Sequence, residues 1–103
     1  LVDNSRLMGE YLMQKLEELK EEFSIIGNIA GKGLHIGVDL VKDRITKERA
    51  ENEAEQIMYD CLKQGIAFKV IEGNILTMRP ALIIGKDECD LIVTAFKNAL
   101  QRL

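Results

Sequence analysis

The stretch Gly73-Asn-Ile-Leu-Thr-Met-Arg-Pro-Ala-Leu-Ile-Ile-Gly-Lys-Asp-Glu-Cys-Asp-Leu91 decides how the chain folds, because turn, strand and helix signals follow one another in it. Gly73 and Asn74 both tolerate positive φ, which predicts a turn. Residues 75–79 then predict a strand, in which successive side chains point to opposite faces. The stretch therefore predicts a turn that leads directly into a short strand.

The two faces of that strand have different characters. One face carries Thr77 and Arg79 together with Ile75, while the opposite face is apolar. Pro80 has no backbone N–H and ends the pairing. The acidic residues that follow a short apolar run favour a helix N-terminus. A strand that stops at Arg-Pro holds one guanidinium at a sheet edge, so we connect Arg79 with a ligand.

Composition describes a globular unit of one domain. The chain has 103 residues, of which 47% are hydrophobic and 30% charged, and its formal net charge is -3. No apolar run reaches the length of a membrane span, and nothing resembles a signal peptide. Lysines and arginines are spread among acids, so no basic stripe exists to neutralise the phosphates of a nucleic acid.

The cysteine and histidine content argues against a metal site. Cys61 and Cys89 are widely separated, and His35 is the only histidine. A metal site needs closely spaced ligands. Both cysteines lie on apolar or boundary positions of predicted helices, which favours buried, reduced thiols and a cytoplasmic protein.

Helical periodicity predicts three helices, at about residues 4–22, from a cap at Thr46 to Gly65, and at 86–102. Apolar residues recur at spacings of three and four in each. In the first helix they are Leu7, Met8, Tyr11, Leu12, Leu16, Leu19 and Phe23; in the second, Ala50, Ala54, Ile57, Met58, Cys61 and Leu62; in the third, Leu91, Ile92, Ala95, Phe96, Ala99, Leu100 and Leu103. These stripes predict one shared core.

Four strands are predicted between the helices, at 25–30, 34–40, 66–71 and 75–79. The last two are joined by a tight turn and form an antiparallel hairpin. The order is α-ββ-α-ββ-α, so we expect an α+β two-layer sandwich: a mostly antiparallel sheet of three or four strands with three helices packed on one face. The other face stays free, and its polar candidates are His35, Lys69, Thr77 and Arg79.

The residues alone reveal no activity. The sequence has no acid–base pair, no nucleophile beside a base and no phosphate loop, since Gly31, Gly33 and Gly37 lie at the wrong spacing for a dinucleotide fingerprint. His35 is expected to be a partly exposed strand residue. A single arginine on a strand commonly makes a surface or interdomain ion pair, and Arg79 is open to that interpretation too.

Three segments together resemble a known family. Residues 29–40 (Ile-Ala-Gly-Lys-Gly-Leu-His-Ile-Gly-Val-Asp-Leu), a helix that ends at Gly65-Ile66, and residues 73–84 (Gly-Asn-Ile-Leu-Thr-Met-Arg-Pro-Ala-Leu-Ile-Ile) are similar to the C-terminal small domain of class III (omega-amino acid) aminotransferases. The Arg-Pro-x-Leu stretch resembles the 4-aminobutyrate aminotransferases in particular. The resemblance covers essentially all 103 residues.

The resemblance implies a role as part of a larger enzyme. Residues 1–103 would be the small domain that covers the active-site cleft of a homodimeric fold type I enzyme dependent on pyridoxal 5'-phosphate (PLP). The large domain of the same polypeptide would hold the cofactor and its Schiff-base lysine, so Lys32 is not the catalytic lysine. This segment alone would then lack catalytic and cofactor-binding residues and be inactive. A start at Leu1 without methionine agrees with a segment of a longer chain.

The resemblance also implies a substrate site with one departure. Family members place a carboxylate-binding arginine at the position of Thr77, and they often carry arginine where Ala30 stands. Either Arg79, on the same strand face, binds the anion, or the substrate is anchored elsewhere. Arginine suits a carboxylate because its planar fork donates two parallel hydrogen bonds. We therefore name Arg79 and Thr77 as substrate-binding candidates.

Two functions from different classes remain open. The first is amino-group transfer from an omega-amino acid to a 2-oxo acid, with a related aminomutase or decarboxylase as a variant on the same fold type. The second is a self-contained α+β module that binds a ligand or partner without catalysis. If a large domain normally covers part of the surface, the isolated segment should expose an apolar patch or associate with itself.

Overall fold

The computed structural model describes residues 2–32, 35–78 and 85–103. Its elements follow the order α-ββ-α-ββ-α that the sequence predicts. They are α1 (Val2–Glu22), β1 (Ile26–Lys32), β2 (His35–Leu40), α2 (Glu51–Lys63), β3 (Lys69–Ile71), β4 (Ile75–Met78) and α3 (Lys86–Gln101). In the described part of the chain, no helix combines the length and the apolar character that crossing a membrane requires.

The four strands form one antiparallel sheet in the order β1-β2-β4-β3. Ile29 pairs with Val38, Val38 with Leu76, and Leu76 with Val70, so one apolar row crosses the whole sheet. The first three of these side chains are buried and Val70 packs against the core. Alternation along each strand therefore places an apolar face under the helices, as expected of a half-covered sheet.

The helices cover that one face. α1 packs over β1 and β2, α2 packs over β2, β4 and β3, and α3 lies against both α1 and α2. The ring of Phe96 on α3 meets that of Phe68, just before β3, at a centroid distance of 5.8 Å. The predicted two-layer α+β sandwich with helices on one face is confirmed.

Each of the three apolar stripes includes at least one residue outside the core. Leu7, Leu62 and Leu91 are 50%, 56% and 64% exposed, respectively. A helix advances 100° per residue, so each of them is turned away from the buried positions of its own helix. The core of α2, for example, consists of Ala54, Ile57 and Cys61, and Leu62 follows one step further round.

α2 begins later than predicted, and Thr46 does not cap it. The helix starts at Glu51, after Ala50, and no side chain caps its first N–H groups. Thr46 belongs to a preceding turn in which its own N–H donates to Asp43. The start is fixed by the sheet instead, because the Ala50 N–H donates to the carbonyl of Leu40 at the end of β2.

β3 is shorter than the predicted strand 66–71. The Ile66 N–H donates to the carbonyl of Cys61 and so completes the end of α2 rather than a sheet ladder. Gly65 has φ of +89°, which confirms it as the left-handed residue that stops α2. Strand pairing starts only at Lys69, opposite Thr77. The predicted alternation of buried and exposed side chains is confirmed, since Phe68 is buried while Lys69 and Ile71 are exposed.

Candidate functional site

The uncovered face of the sheet is made by the residues that alternate with the buried rows. Ala30, Gly37, Thr77 and Lys69 lie side by side across the four strands in one row of this face. Close packing does not require glycine at position 37, because a Cβ built there would meet Ile75 Cγ2 at 3.6 Å, an ordinary van der Waals contact. The row is small in the middle and charged at one end, so another surface can approach the sheet closely.

An open depression of about 560 Å³ lies at one end of this face, where β2 begins and β4 ends. It is lined by His35, Ala67, Phe68, Lys69, Ile71, Thr77 and Met78. Lys69 and His35 bring basic groups, and no acidic side chain is among these lining residues. The depression therefore suits a small anionic group more than a cation.

The structure brings three of the four predicted polar residues together in this depression, namely His35, Lys69 and Thr77. His35 is exposed, as predicted for a strand residue on the free face. Arg79, the principal candidate from the sequence, lies outside the described residues. The apolar lining by Ala67 and Ile71 follows from the same alternation that exposes Lys69, so the sequence already contained that signal.

The hydroxyl group of Thr77 is already engaged. Thr77 Oγ1 donates to the backbone carbonyl of Lys69 at 3.2 Å, across the β3–β4 ladder. A hydroxyl has one proton to donate and two lone pairs that accept. In this geometry Thr77 can accept a hydrogen bond from a ligand but cannot donate one to a carboxylate.

Asn74 is a buried polar residue that sequence reasoning did not find. Its side chain is 4% exposed, and its Nδ2 donates to Asp39 Oδ1 at 2.5 Å and to the Leu40 carbonyl at 2.9 Å. The Leu40 N–H in turn donates to the Asn74 carbonyl at 3.0 Å. These bonds fasten the β3–β4 turn to the end of β2 and so fix where the uncovered face ends.

The two cysteines lie in the core and not in the depression. Cys61 and Cys89 are both free and buried. Burial raises the pKa of the Cys61 thiol to about 12, and burial together with nearby acids also raises the pKa of Cys89. Thiols held in the protonated form are poor nucleophiles and poor metal ligands. Neither cysteine is a catalytic candidate.

Every lysine side chain whose burial the structure describes is at least partly exposed. A Schiff-base lysine is activated by desolvation or by a neighbouring cation. Within residues 2–32, 35–78 and 85–103, no group of three or more His, Cys, Asp or Glu could hold a metal ion.

Comparison with known proteins identifies related sequences. Residues 1–100 match the family Aminotransferase class-III. The chain is similar to a (R)-1-hydroxy-2-aminoethylphosphonate ammonia-lyase of Vibrio splendidus, with 39% identity over 100% of this chain and 22% of that protein. It is also similar to a leucine/methionine racemase of Thermococcus litoralis, with 43% identity over 87% of this chain and 20% of that protein.

Aminotransferases are among the similar proteins as well. A hypotaurine/taurine–pyruvate aminotransferase of Paracoccus denitrificans is 37% identical over 100% of this chain and 24% of its own length. A PLP-bound amine transaminase from an uncultivated Pseudomonas species superposes with a TM-score of 0.89 at 31% identity, over 96% of this chain and 23% of that chain. The chain thus spans about a fifth to a quarter of the length of these relatives.

Proposed function

The chain belongs to the class-III aminotransferases, and on that premise we propose that its 103 residues are the C-terminal small domain of a fold type I, PLP-dependent enzyme. The parent enzyme transfers an amino group from an omega-amino acid such as 4-aminobutyrate to a 2-oxo acid. The segment covers the active-site cleft and is inactive alone. Its partners are the large domain of the same polypeptide and a second subunit of a homodimer.

The observation that carries this proposal is the match of residues 1–100 to the family. Two features agree with it. The chain spans only 20–24% of the relatives reported above, which leaves room for a separate cofactor domain. The proposal assigns the cofactor to that other domain. The free thiols agree with a reducing, cytoplasmic location.

The uncovered sheet face supplies the substrate-binding part of the proposal. Lys69 and His35 make the depression basic, which suits the carboxylate at the far end of an omega-amino acid. We assign the main anion contact to Arg79, because its fork can hold a carboxylate through two hydrogen bonds. Thr77 contributes as an acceptor only, since its proton is bonded to the Lys69 carbonyl.

The proposal is tested first on the full-length protein that contains this chain. We expect that protein to show the visible absorption of bound PLP and a change of that absorption when an omega-amino acid is added. The 103-residue chain alone should show neither. PLP absorption from the isolated chain would contradict the assignment of cofactor binding to the large domain. A full-length protein without bound PLP would contradict the proposed function.

Replacement of Arg79 tests the substrate contact. In the full-length enzyme, we expect Arg79→Gln to raise KM for 4-aminobutyrate roughly tenfold or more, because a hydrogen bond to a charged group contributes about 1.5–3 kcal/mol. KM for a monoamine without a carboxylate should stay the same. Arg6→Gln, on the exposed surface of α1, is the matched control. An equal rise of KM for 4-aminobutyrate and for the monoamine would show that Arg79 does not bind the carboxylate.

A second candidate function has support from the relatives. The 43% identical relative is a leucine/methionine racemase, so racemisation of an apolar amino acid is the alternative for the parent enzyme. The two functions differ in their need for a 2-oxo acid. Loss of optical activity from a single amino acid, without any 2-oxo acid, would favour the racemase, whereas amino transfer requires both substrates.

A further inference from the structure

Asp39 lies on the uncovered sheet face, beside the row of residues that carries the candidate site. It is partly exposed, whereas its neighbours Val38 and Leu40 are buried. Alternation along β2 therefore puts Asp39 on the same face as Gly37, whose cross-strand partner is Thr77. The Cα atoms of Asp39 and Gly37 are two residues apart, about 6.5–7 Å along the strand. A carboxylate thus lies one row away from a depression that suits an anion.

A carboxylate that is free to turn in this place would oppose anion binding. Its charge repels an anionic substrate, and it competes with that substrate for the same cations. One such cation, Lys69, lines the depression. The other is Arg79, to which the proposed function assigns the main anion contact. The site therefore binds an anion well only if the Asp39 carboxylate is kept from pairing with these two groups.

The Asn74 side chain holds this carboxylate at the end of β2. Its Nδ2 donates to Asp39 Oδ1 at 2.5 Å and to the Leu40 carbonyl at 2.9 Å, so both amide protons are used. The Leu40 N–H donates to the Asn74 carbonyl, and the Ala50 N–H donates to the Leu40 carbonyl. Asn74 is only 4% exposed, so water competes poorly for these bonds. The amide that holds Asp39 is thus fixed in turn by β2, by the β3–β4 turn and by the start of α2.

We propose that Asn74 is a positioning residue that determines the affinity for anionic substrates, because it keeps the Asp39 carboxylate away from the cations of the uncovered face. Asn74 acts through Asp39 and not by contact with the substrate. The inference rests on the proposed function for the identity of the anion site. It goes beyond that function by naming the residue that keeps the site free for the substrate. The bonds that carry it join described residues within this one chain.

Binding of butyrate to the full-length protein tests the inference without any need for catalysis. Isothermal titration calorimetry measures the dissociation constant of this monocarboxylate. We expect Asn74→Ala to raise the dissociation constant roughly three- to tenfold, because the released carboxylate competes for the cations that bind the probe. Asp39→Asn in the same background should return it to within about twofold of the wild-type value, since the competing charge is then gone.

This rescue separates positioning from a merely structural role. If Asn74 only stabilised the turn, Asp39→Asn would not repair the loss of butyrate binding, because the amide of the turn would still be missing. Asn98→Ala is the matched control. The Asn98 Nδ2 also donates to a side chain, Gln64 Oε1, but it does so between α3 and the end of α2. Its replacement should leave butyrate binding unchanged.

Asn74→Ser keeps the test decisive if the alanine variant does not fold, because its hydroxyl retains one donor. Its dissociation constant for butyrate should rise roughly twofold or more and should also be restored by Asp39→Asn. Unchanged binding in the folded Asn74 variant, a failed rescue, or a full-length protein that binds no butyrate would overturn the inference. Amino transfer from 4-aminobutyrate by the wild-type protein is measured separately, so a failure of the proposed function is recognised on its own.

Discussion

At the scale of single residues, the β3–β4 turn contains an unexpected strain. Glu72 has φ of +53° and Gly73 has φ of +82°, so both occupy the left-handed region. Glycine tolerates this region without penalty, whereas a residue with a Cβ is less stable there by roughly 1–2 kcal/mol. The sequence predicted a turn at Gly73 and Asn74 because both residues tolerate positive φ, and the structure places the positive φ values at Glu72 and Gly73.

Relief of this strain should stabilise the protein. We expect Glu72→Asn to raise the free energy of unfolding by about 0.5–1 kcal/mol, because asparagine tolerates the left-handed region and Asn-Gly is the preferred tight-turn pair. Urea denaturation measures the change. Glu72→Ala is the control at the same position, since alanine lacks the short polar side chain that makes asparagine tolerant of the left-handed region and should gain little. An equal gain from both substitutions would point to charge rather than backbone strain.

Asn74 shows why the turn could not be fully deduced. A glycine-asparagine pair indicates a turn from local chemistry alone. The actual role of Asn74, donation to Asp39 and to the Leu40 carbonyl, depends on a strand that lies more than thirty positions earlier in the chain. Local propensity contains no information on which distant carbonyl a side chain will meet, so only the folded sheet assigns this residue.

Tyr11 gives a residue-level prediction about pH. Its hydroxyl donates to Asp90 Oδ1 at 2.5 Å between α1 and α3, and this bond, with burial and the Asp90 charge, raises the Tyr11 pKa to about 12. A raised pKa means that the bond stabilises the fold fully below the unfolded pKa near 10 and is lost as pH rises through 12. We expect Tyr11→Phe to lower the melting temperature at pH 8 and to make stability less sensitive to pH between 10 and 12. Parallel pH profiles of the two proteins would contradict this assignment.

At the scale of elements, the loop between β2 and α2 caps the C-terminal end of α1. The Arg44 guanidinium donates to the carbonyls of Lys20, Phe23, Ser24 and Ile26. Helix ends leave their last carbonyls without intrahelical partners, and a cation near them also complements the helix dipole. Nothing in the local sequence of this loop indicated that its arginine caps a helix that ends about twenty residues earlier.

Removal of that cap should be measurable. We expect Arg44→Ala to lower the free energy of unfolding by about 1–3 kcal/mol, because several carbonyls lose a charged donor. Arg6→Ala is the control, since Arg6 forms an exposed pair with Glu10 within α1 and should change stability by less than about 0.5 kcal/mol. Denaturant titration of the two variants compares them directly. Similar losses would mean that general charge, and not capping, explains the effect.

At the scale of the whole molecule, the two buried thiols report on cooperative unfolding. Cys61 lies on α2 and Cys89 on α3, both with raised pKa values. We expect both to react slowly with a thiol reagent at pH 8 and to become reactive with the same dependence on denaturant, because one core covers them. Mass spectrometry distinguishes the two labelled peptides. Earlier labelling of Cys89 would show that α3 detaches before the rest unfolds.

The sequence predicted the architecture well and the site only in part. Element order, antiparallel pairing and one-sided helix packing all follow from hydrophobic periodicity, which is a property of each segment. The exposure of His35, Lys69 and Thr77 on one face followed from the same alternation. The Thr77–Lys69 hydrogen bond and the start of α2 at Glu51 did not, because both depend on contacts between segments that are separate in sequence.

The strand order β1-β2-β4-β3 has a consequence for symmetry. Each half of the chain runs helix, edge strand, central strand, so α1-β1-β2 and α2-β3-β4 have the same order of elements and meet where β2 pairs antiparallel with β4. α3 has no counterpart in this arrangement and fills the space between α1 and α2. The two halves therefore share one order of elements but not one size, since α1 has 21 residues against 13 in α2 and β1 has 7 against 3 in β3, and α3 is the helix that neither half repeats.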